Sequence, residues 1–211
     1  MRNLYALFLL FWAFSLFGSQ LQESKKPYSF RVAYGYASEK DLGDILLTLN
    51  FSKHPQDLRV VAVDGGYLLK ENLFELPIDL YAKGGYSYFL EDKNRNVSEI
   101  LAYVKILYNL DLGRNRIRFG FGEGVSYVSR LLEAEVYDAT DQETGVMDPT
   151  AKFLNYLDIT IDFDIGKMLH IRSLEDCYFG YLLKHRSGVF GLYSGVHGGS
   201  NYNSLYIEKN F

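Results

Sequence analysis

The chain has 211 residues and a formal net charge of −4. That length suits one domain with a sizeable core, or one small barrel. The mildly acidic balance excludes the basic footprint of a nucleic-acid-binding protein, so no nucleic-acid partner is expected. With 18 tyrosines, 15 phenylalanines and one tryptophan, the aromatic load is heavy for an ordinary soluble domain.

The N-terminus, "MRNLYALFLLFWAFSLFGSQ", starts with the positive Arg2, and Leu4 to Phe17 is apolar except for Ser15. The run is shorter than the ~20 residues of a membrane-spanning helix, and polar residues follow it. Residues 1–19 are therefore expected to be a secretory signal peptide, cut near Gly18 to Gln20, with an uncleaved anchor as the alternative. A polar link, "QLQESKKP", comes next.

Beyond it, period-two alternation recurs. "YSFRVAYGY" at 28–36 is strand-like, and segments near 45–52, 58–68 and 77–89 alternate less cleanly. In "ILAYVKILYNL", Ile100, Ala102, Val104, Ile106, Tyr108 and Leu110 share one face. In "IRFGFGEGVSY", Ile117, Phe119, Phe121, Val125 and Tyr127 do, with Glu123 as the exception. In "LDITIDFDI", Leu157 to Ile165 at odd positions oppose Asp158, Thr160, Asp162 and Asp164. Strands with one apolar and one charged face, many of ten residues or more, suit a membrane barrel better than a soluble sandwich.

The expected fold is thus all-β, an eight-stranded antiparallel transmembrane β-barrel of the bacterial outer membrane, as one domain over 20–211. The C-terminal strand "NSLYIEKNF" ends in Phe211, as in many such barrels, which implies the barrel assembly machinery as a partner. Counting back from a periplasmic C-terminus makes 188–199 and the acidic 129–151 external, and "LGRN" at 112–115 periplasmic. That is the expected asymmetry of short turns and long loops. The count takes 45–52 as the eighth strand and leaves 28–36 as a ninth strand-like segment.

The sole cysteine, Cys177, reads as an apolar filler, and no cluster with metal-ligand spacing occurs, so no metal or cofactor is expected. In the outward strand before 188, the odd face (Cys177, Phe179, Tyr181, Leu183, His185, Ser187) is the more apolar and is assigned to lipid. His185 and Ser187 then share the lipid face at the external end, ~6.5–7 Å apart along the strand. Asn201, on the odd face of the next strand, falls near the same level. A serine nucleophile needs a base and a group to orient it, and Ser187, His185 and Asn201 can supply these roles. Glu208 falls on the other face at the far end. An isolated H-x-S is a weak motif whose ordinary meaning is a polar pair at a loop edge. Lys184 and Arg186 read either as interior charges paired with Asp176 or Asp164, or as contacts for anionic head groups of a substrate. His54, His170 and His197 read as loop residues, His197 being the nearest spare base.

The stretch "HRSGVFG" followed by "GGSNYNSLYIEKNF" resembles the PagL-type lipid A 3-O-deacylases over about the last 27 residues. The resemblance implies a lipid-facing Ser/His site that hydrolyses an ester-linked 3-hydroxyacyl chain of lipopolysaccharide, with Ser187 as nucleophile and His185 as general base. Lipid A and outer-membrane lipid are the implied partners. Two positions depart from the family. Gly188 stands where an asparagine linked to the oxyanion hole follows the serine, leaving the Gly188 amide and another from the 189–191 turn as oxyanion donors. Asn201 stands where the third member is a glutamate. The alternatives are a non-catalytic small barrel acting in adhesion or envelope integrity, and a phospholipase using the same site.

Overall fold

The computed structural model describes residues 26–113, 115–141 and 143–211. The signal peptide expected over 1–19 lies outside them. Eight antiparallel strands close into a barrel in sequence order. They are β1 (Tyr28–Ser38), β2 (Arg59–Lys70), β3 (Ile78–Leu90), β4 (Val97–Leu112), β5 (Asn115–Val128), β6 (Phe153–Asp164), β7 (Cys177–Ser187) and β8 (Gly199–Asn210). β1 pairs with β8 over ten positions, from Ser29↔Asn210 to Ser38↔Asn201, so neither strand is left with an open edge. No helix among the described residues is long and apolar enough to cross a membrane. The strands make the crossing.

The first strand corrects the sequence count. It is 28–38, not 45–52. Tyr28, Phe30, Val32 and Tyr34 point outward while Ser29, Arg31 and Ala33 point in, a clean alternation that fits both neighbours. The segment taken for a strand is instead helix α1 (Leu42–Thr48), in the 39–58 connection between β1 and β2. Leu42, Ile45, Leu46 and Leu49 recur at helical spacing, and Leu49 ends the helix in the left-handed conformation. Short helices α2 (Glu133–Ala139) and α3 (Ile165–Leu169) lie in later connections. Three of the four longer connections, 39–58, 129–152 and 188–198, share one end of the barrel with the shorter 91–96; the termini of the barrel, Tyr28 and Phe211, lie at the other. We call these the loop end and the terminal end.

The lumen is filled with paired charge. Arg31 donates to Asp64 and Asp158; Lys105 donates to Asp158 at 2.6 Å; Lys83 bridges Asp64 and Glu208; Arg118 forks onto Asp162 at 2.8 Å and reaches Glu208 at 3.1 Å. All eight are buried. Above them, toward the loop end, Lys184 pairs with Glu99, and Arg186 with Glu99 and Glu135. This corrects the partners expected for the last two. Asp164 accepts from the Lys167 and Asp176 amides, and Asp176 pairs with Lys26, at the terminal end. Lys184 and Arg186 sit at the opposite end of β7, so only acids at that level can reach them. A cluster including Phe89, Val97, Val128, Leu132 and Tyr202 closes the loop end, with Ala134 of α2 packed into it.

Removing one member of a buried ion network leaves its partners charged and unpaired, which costs about 3–5 kcal/mol. Asp158→Ala takes the carboxylate partner of Lys105 and leaves Arg31 with Asp64 alone. It is expected to lower the urea midpoint of the detergent-refolded barrel by a corresponding amount. An unchanged midpoint would show that water replaces the carboxylate at little cost.

Candidate active site

On β7, Tyr178, Gly180, Leu182, Lys184 and Arg186 point into the lumen, and Phe179, Tyr181, Leu183, His185 and Ser187 point outward. The barrel register then builds the site. Glu123, Leu157, His185 and Asn201 form one outward row across β5, β6, β7 and β8. Val125, Asn155, Ser187 and Gly199 form the next row toward the loop end. All of these except Val125 line a cleft of about 510 Å³ that also takes in Lys40, Asp41 and Leu42 from the β1–β2 connection, and Val189, Phe190 and His197 from the β7–β8 connection.

A polar side chain facing lipid needs cover or partners. Here it has both. Leu183, His185, Asn201 and Asn203 are buried although they face outward. The cover is the 39–58 connection, which lies against this wall. Ser38 Oγ donates to the Ser52 carbonyl, Tyr36 OH to the Phe51 carbonyl, and the Phe51 ring sits 5.5 Å from that of Tyr181.

His185 and Asn201 meet directly, Nδ1 lying 2.7 Å from Oδ1. An amide oxygen only accepts, so Nδ1 carries a proton, and in the neutral imidazole Nε2 then holds the lone pair. The other end of the Asn201 amide donates to the Lys40 carbonyl at 2.9 Å, which fixes its orientation. Ser187 lines the same cleft, but no hydrogen bond joins its hydroxyl to His185 among the described residues. Lys184 and Arg186 lie inside the barrel on Glu99 and Glu135, so the structure does not present them to a lipid on the outer wall.

Gly188 behaves differently from the sequence expectation. Its amide donates to the Gly198 carbonyl at 3.3 Å. A Cβ at Gly188 would lie 1.9 Å from the Val196 carbonyl oxygen and 2.5 Å from Val196 Cβ, so no side chain fits. The following turn runs through Val189, Phe190 and Gly191, all at positive φ. The Val189 and Phe190 amides donate no hydrogen bond among the described residues.

The sequence reading passed over Asn155, which is buried, lines the cleft and is paired across the strands with Ser187. Extending the odd face of β6 back from Leu157 by one step would have found it. It also passed over the rim acids Asp41 and Asp138 and treated His54 as a solvated loop residue. His54 is buried, its Nδ1 accepts from the Gln56 amide at 3.1 Å, and burial pulls its imidazole pKa down. Burial pushes the Asp138 carboxyl up, opposed by its contact with the Gly199 amide. No group of side chains among the described residues has the arrangement of a metal site.

No family model matches the sequence, and no curated protein matches it significantly. Solved structures do match. The outer membrane enzyme PagL is similar at 12% identity with a TM-score of 0.56, over 87% of this chain and 99% of that one. Neisserial surface protein A follows at 6% identity and a TM-score of 0.47, over 90% and 100%. Ail of Yersinia pestis, solved in a phospholipid bilayer nanodisc, gives 7% and 0.42, over 87% and 99%. At 12% identity the likeness to PagL establishes the fold. The chain is a small eight-stranded barrel of outer-membrane type.

The packing at Gly188 yields a test. Gly188→Asn installs the residue that follows the serine in the PagL-type deacylases, against a backbone that leaves it no room. Overpacking of this kind costs about 1–3 kcal/mol. The variant is expected to unfold at lower temperature, read by the heat-dependent shift of the barrel on an SDS gel. A variant as stable as the parent would mean that the 188–198 connection repacks freely.

Proposed function

We propose that the chain is an outer-membrane carboxylic-ester hydrolase acting on an ester-linked acyl chain of lipid A in lipopolysaccharide. One observation carries the reading. A serine, a histidine and an asparagine that orients that histidine share a covered cleft on the lipid-facing wall, where a barrel alone has no use for them. The C-terminal resemblance to PagL-type deacylases supports the substrate class. The localisation implied is the outer membrane of a Gram-negative bacterium, with the loop end outside and the cleft at the outer leaflet, where lipid A resides.

In this reading Ser187 Oγ attacks the ester carbonyl while His185 Nε2 takes its proton. The tetrahedral intermediate collapses, the sugar alkoxide leaves with the proton from His185, and an acyl-serine remains. Water, deprotonated by the same nitrogen, then releases the fatty acid. Asn201 keeps Nδ1 protonated and the ring in place, a role that needs an acceptor but not a charge. The hydroxyl of Ser187 swings onto Nε2 when an ester enters, since catalytic hydrogen bonds often close only in the substrate complex. The unpartnered Val189 and Phe190 amides are the backbone donors within the turn, in place of the Gly188 amide.

The separation of Ser187 from His185 in this structure favours one second reading, a non-catalytic small barrel acting in adhesion or envelope integrity. One experiment divides the two. Membranes carrying the parent are expected to release a hydroxy fatty acid from lipid A, read by mass spectrometry, and Ser187→Ala is expected to abolish that release. Equal lipid A profiles with and without the parent would sink the proposal. Release from phospholipid instead would move the substrate to a phospholipase reaction on the same site.

A further inference from the structure

The β1–β2 connection does not project from the barrel mouth. It folds back onto the outward wall, where it is tied by Lys40 to Asn201, by Phe51 to Tyr36 and Tyr181, and by Ser52 to Ser38. Only Ile45 of α1 is buried. The apolar side chains that remain are presented away from the protein, with Leu47 87% and Leu49 69% exposed and Leu46 and Phe51 also exposed. Water is a poor surrounding for such a set, because each apolar side chain left in it forgoes the gain of burial. The level on the wall is informative. Phe51 packs beside Tyr36 and Tyr181; the outward Leu205 and Tyr34 share the row of Tyr181, and Ile207 and Val32 follow in the next row toward the terminal end. Tyr36 lies one row nearer the loop end, at the rim of this apolar band, and tyrosines at such a rim mark the membrane interface.

We propose that α1 and Phe51 are inserted in the leaflet at the loop end, where Leu46, Leu47 and Leu49 contact lipid acyl chains. The surface is continuous with the lipid-facing band of the barrel, and this continuity selects lipid as the occupant. The inserted segment forms one side of the cleft, and its Lys40 carbonyl holds Asn201, which holds His185. Lipid contact and the geometry of the histidine are therefore mechanically joined. The insertion itself does not depend on the chain being an enzyme.

The single tryptophan, Trp12, makes a fluorescence test direct. Full-length protein carrying Trp12→Phe and Leu47→Trp is refolded into phosphatidylcholine vesicles with and without bromine on the acyl chains. Emission is expected to be blue-shifted and quenched by the brominated lipid, as for a reporter at the lipid-facing Ile100→Trp. Red emission quenched by iodide but not by brominated lipid, as for Glu143→Trp in the 129–152 connection, overturns the proposal. Leu46→Trp is the second reporter should Leu47→Trp not fold.

A different observation carries a second inference, which rests on the esterase reading. Ser187 and Asn155 are partners across β7 and β6, so their Cβ atoms stand ~4.5–5.5 Å apart on the same outward face. Asn155 Nδ2 donates to the Gly124 carbonyl at 3.2 Å, which fixes the amide and leaves its second N–H unclaimed. We infer that Asn155 is a catalytic residue, donating that N–H to the oxyanion formed when Ser187 adds to the ester carbonyl. It supplies from the neighbouring strand the side-chain donor that Gly188 has no room to carry. Asn155→Ala and the isosteric Asn155→Asp are each expected to lower kcat about 10²–10³-fold with KM nearly unchanged. If Ser187→Ala abolishes turnover while either folded Asn155 variant keeps the parental kcat, this assignment is wrong and the esterase reading stands. If Ser187→Ala keeps turnover, the esterase reading itself fails.

Discussion

Lipid offers the backbone no hydrogen-bond partner, and the rest of the molecule depends on that. A strand in such a solvent needs a neighbour on each side, so the sheet has to close. Closure between β1 and β8 fixes which face of every strand meets lipid and which meets the lumen. With eight strands the lumen is only wide enough for side chains. Charge placed there must be neutralised by charge. Four cations, Arg31, Lys83, Lys105 and Arg118, meet four carboxylates, Asp64, Asp158, Asp162 and Glu208, with no member left alone. A second group, Lys184 and Arg186 with Glu99 and Glu135, lies nearer the loop end, where α2 brings Glu135 down onto Arg186 and Ser200. The acidic 129–151 stretch is thus in part a lid on the lumen.

What could be read from sequence was what depends on parity. The alternation of Asp158, Thr160 and Asp162 against Ile159 and Ile161 fixed the two faces of β6, and the same rule put His185 and Ser187 outward on β7. Asn201 followed because β8 begins where β7 ends. What could not be read was what depends on register, tilt or cover. The acid that meets Lys184 is set by its level across the lumen, and Glu99 lies three strands away along the sheet. Helix α1 was missed because Ile45-Leu46-Leu47 is a continuous apolar run, equally at home in a strand. Mistaking it for one displaced β1 from the count. Lys40 was invisible because the atom it contributes is a backbone carbonyl, which has no signature in a sequence.

The outward wall near His185 departs from the pattern that the rest of the barrel obeys. Elsewhere the outward face is mostly Phe, Tyr, Ile, Val and Leu, many of them exposed for lipid. Around the cleft it is Asn155, His185, Asn201 and Asn203, buried. The chain leaves the barrel at Ser38, covers this patch, and re-enters at Arg59. Each asparagine is engaged: Asn155 on Gly124, Asn201 on His185 and Lys40, Asn203 on Tyr181. A patch of this kind costs stability in a lipid-facing wall unless it is covered and engaged, and here the cover and most of the partners come from residues far apart in sequence, Asn203 Nδ2 being buried without a partner among the described residues.

That setting also gives a reason for an asparagine at 201. A carboxylate there would strengthen the histidine as a base, but it would be an acid on the lipid side of the wall, and Lys40, the basic residue of the cleft lining, already holds Glu39 with its ammonium at 3.2 Å. The nearby basic side chains, Lys184 and Arg186, are committed to the lumen. An amide with an acceptor at one end and a donor at the other is satisfied by His185 and the Lys40 carbonyl without a counter-charge. In the proposed mechanism the cost is borne when the imidazole becomes imidazolium and finds a dipole rather than an anion beside it. The design keeps orientation and gives up charge, so the stabilisation of the intermediate has to come mainly from the donors around its oxyanion, the turn amides and Asn155.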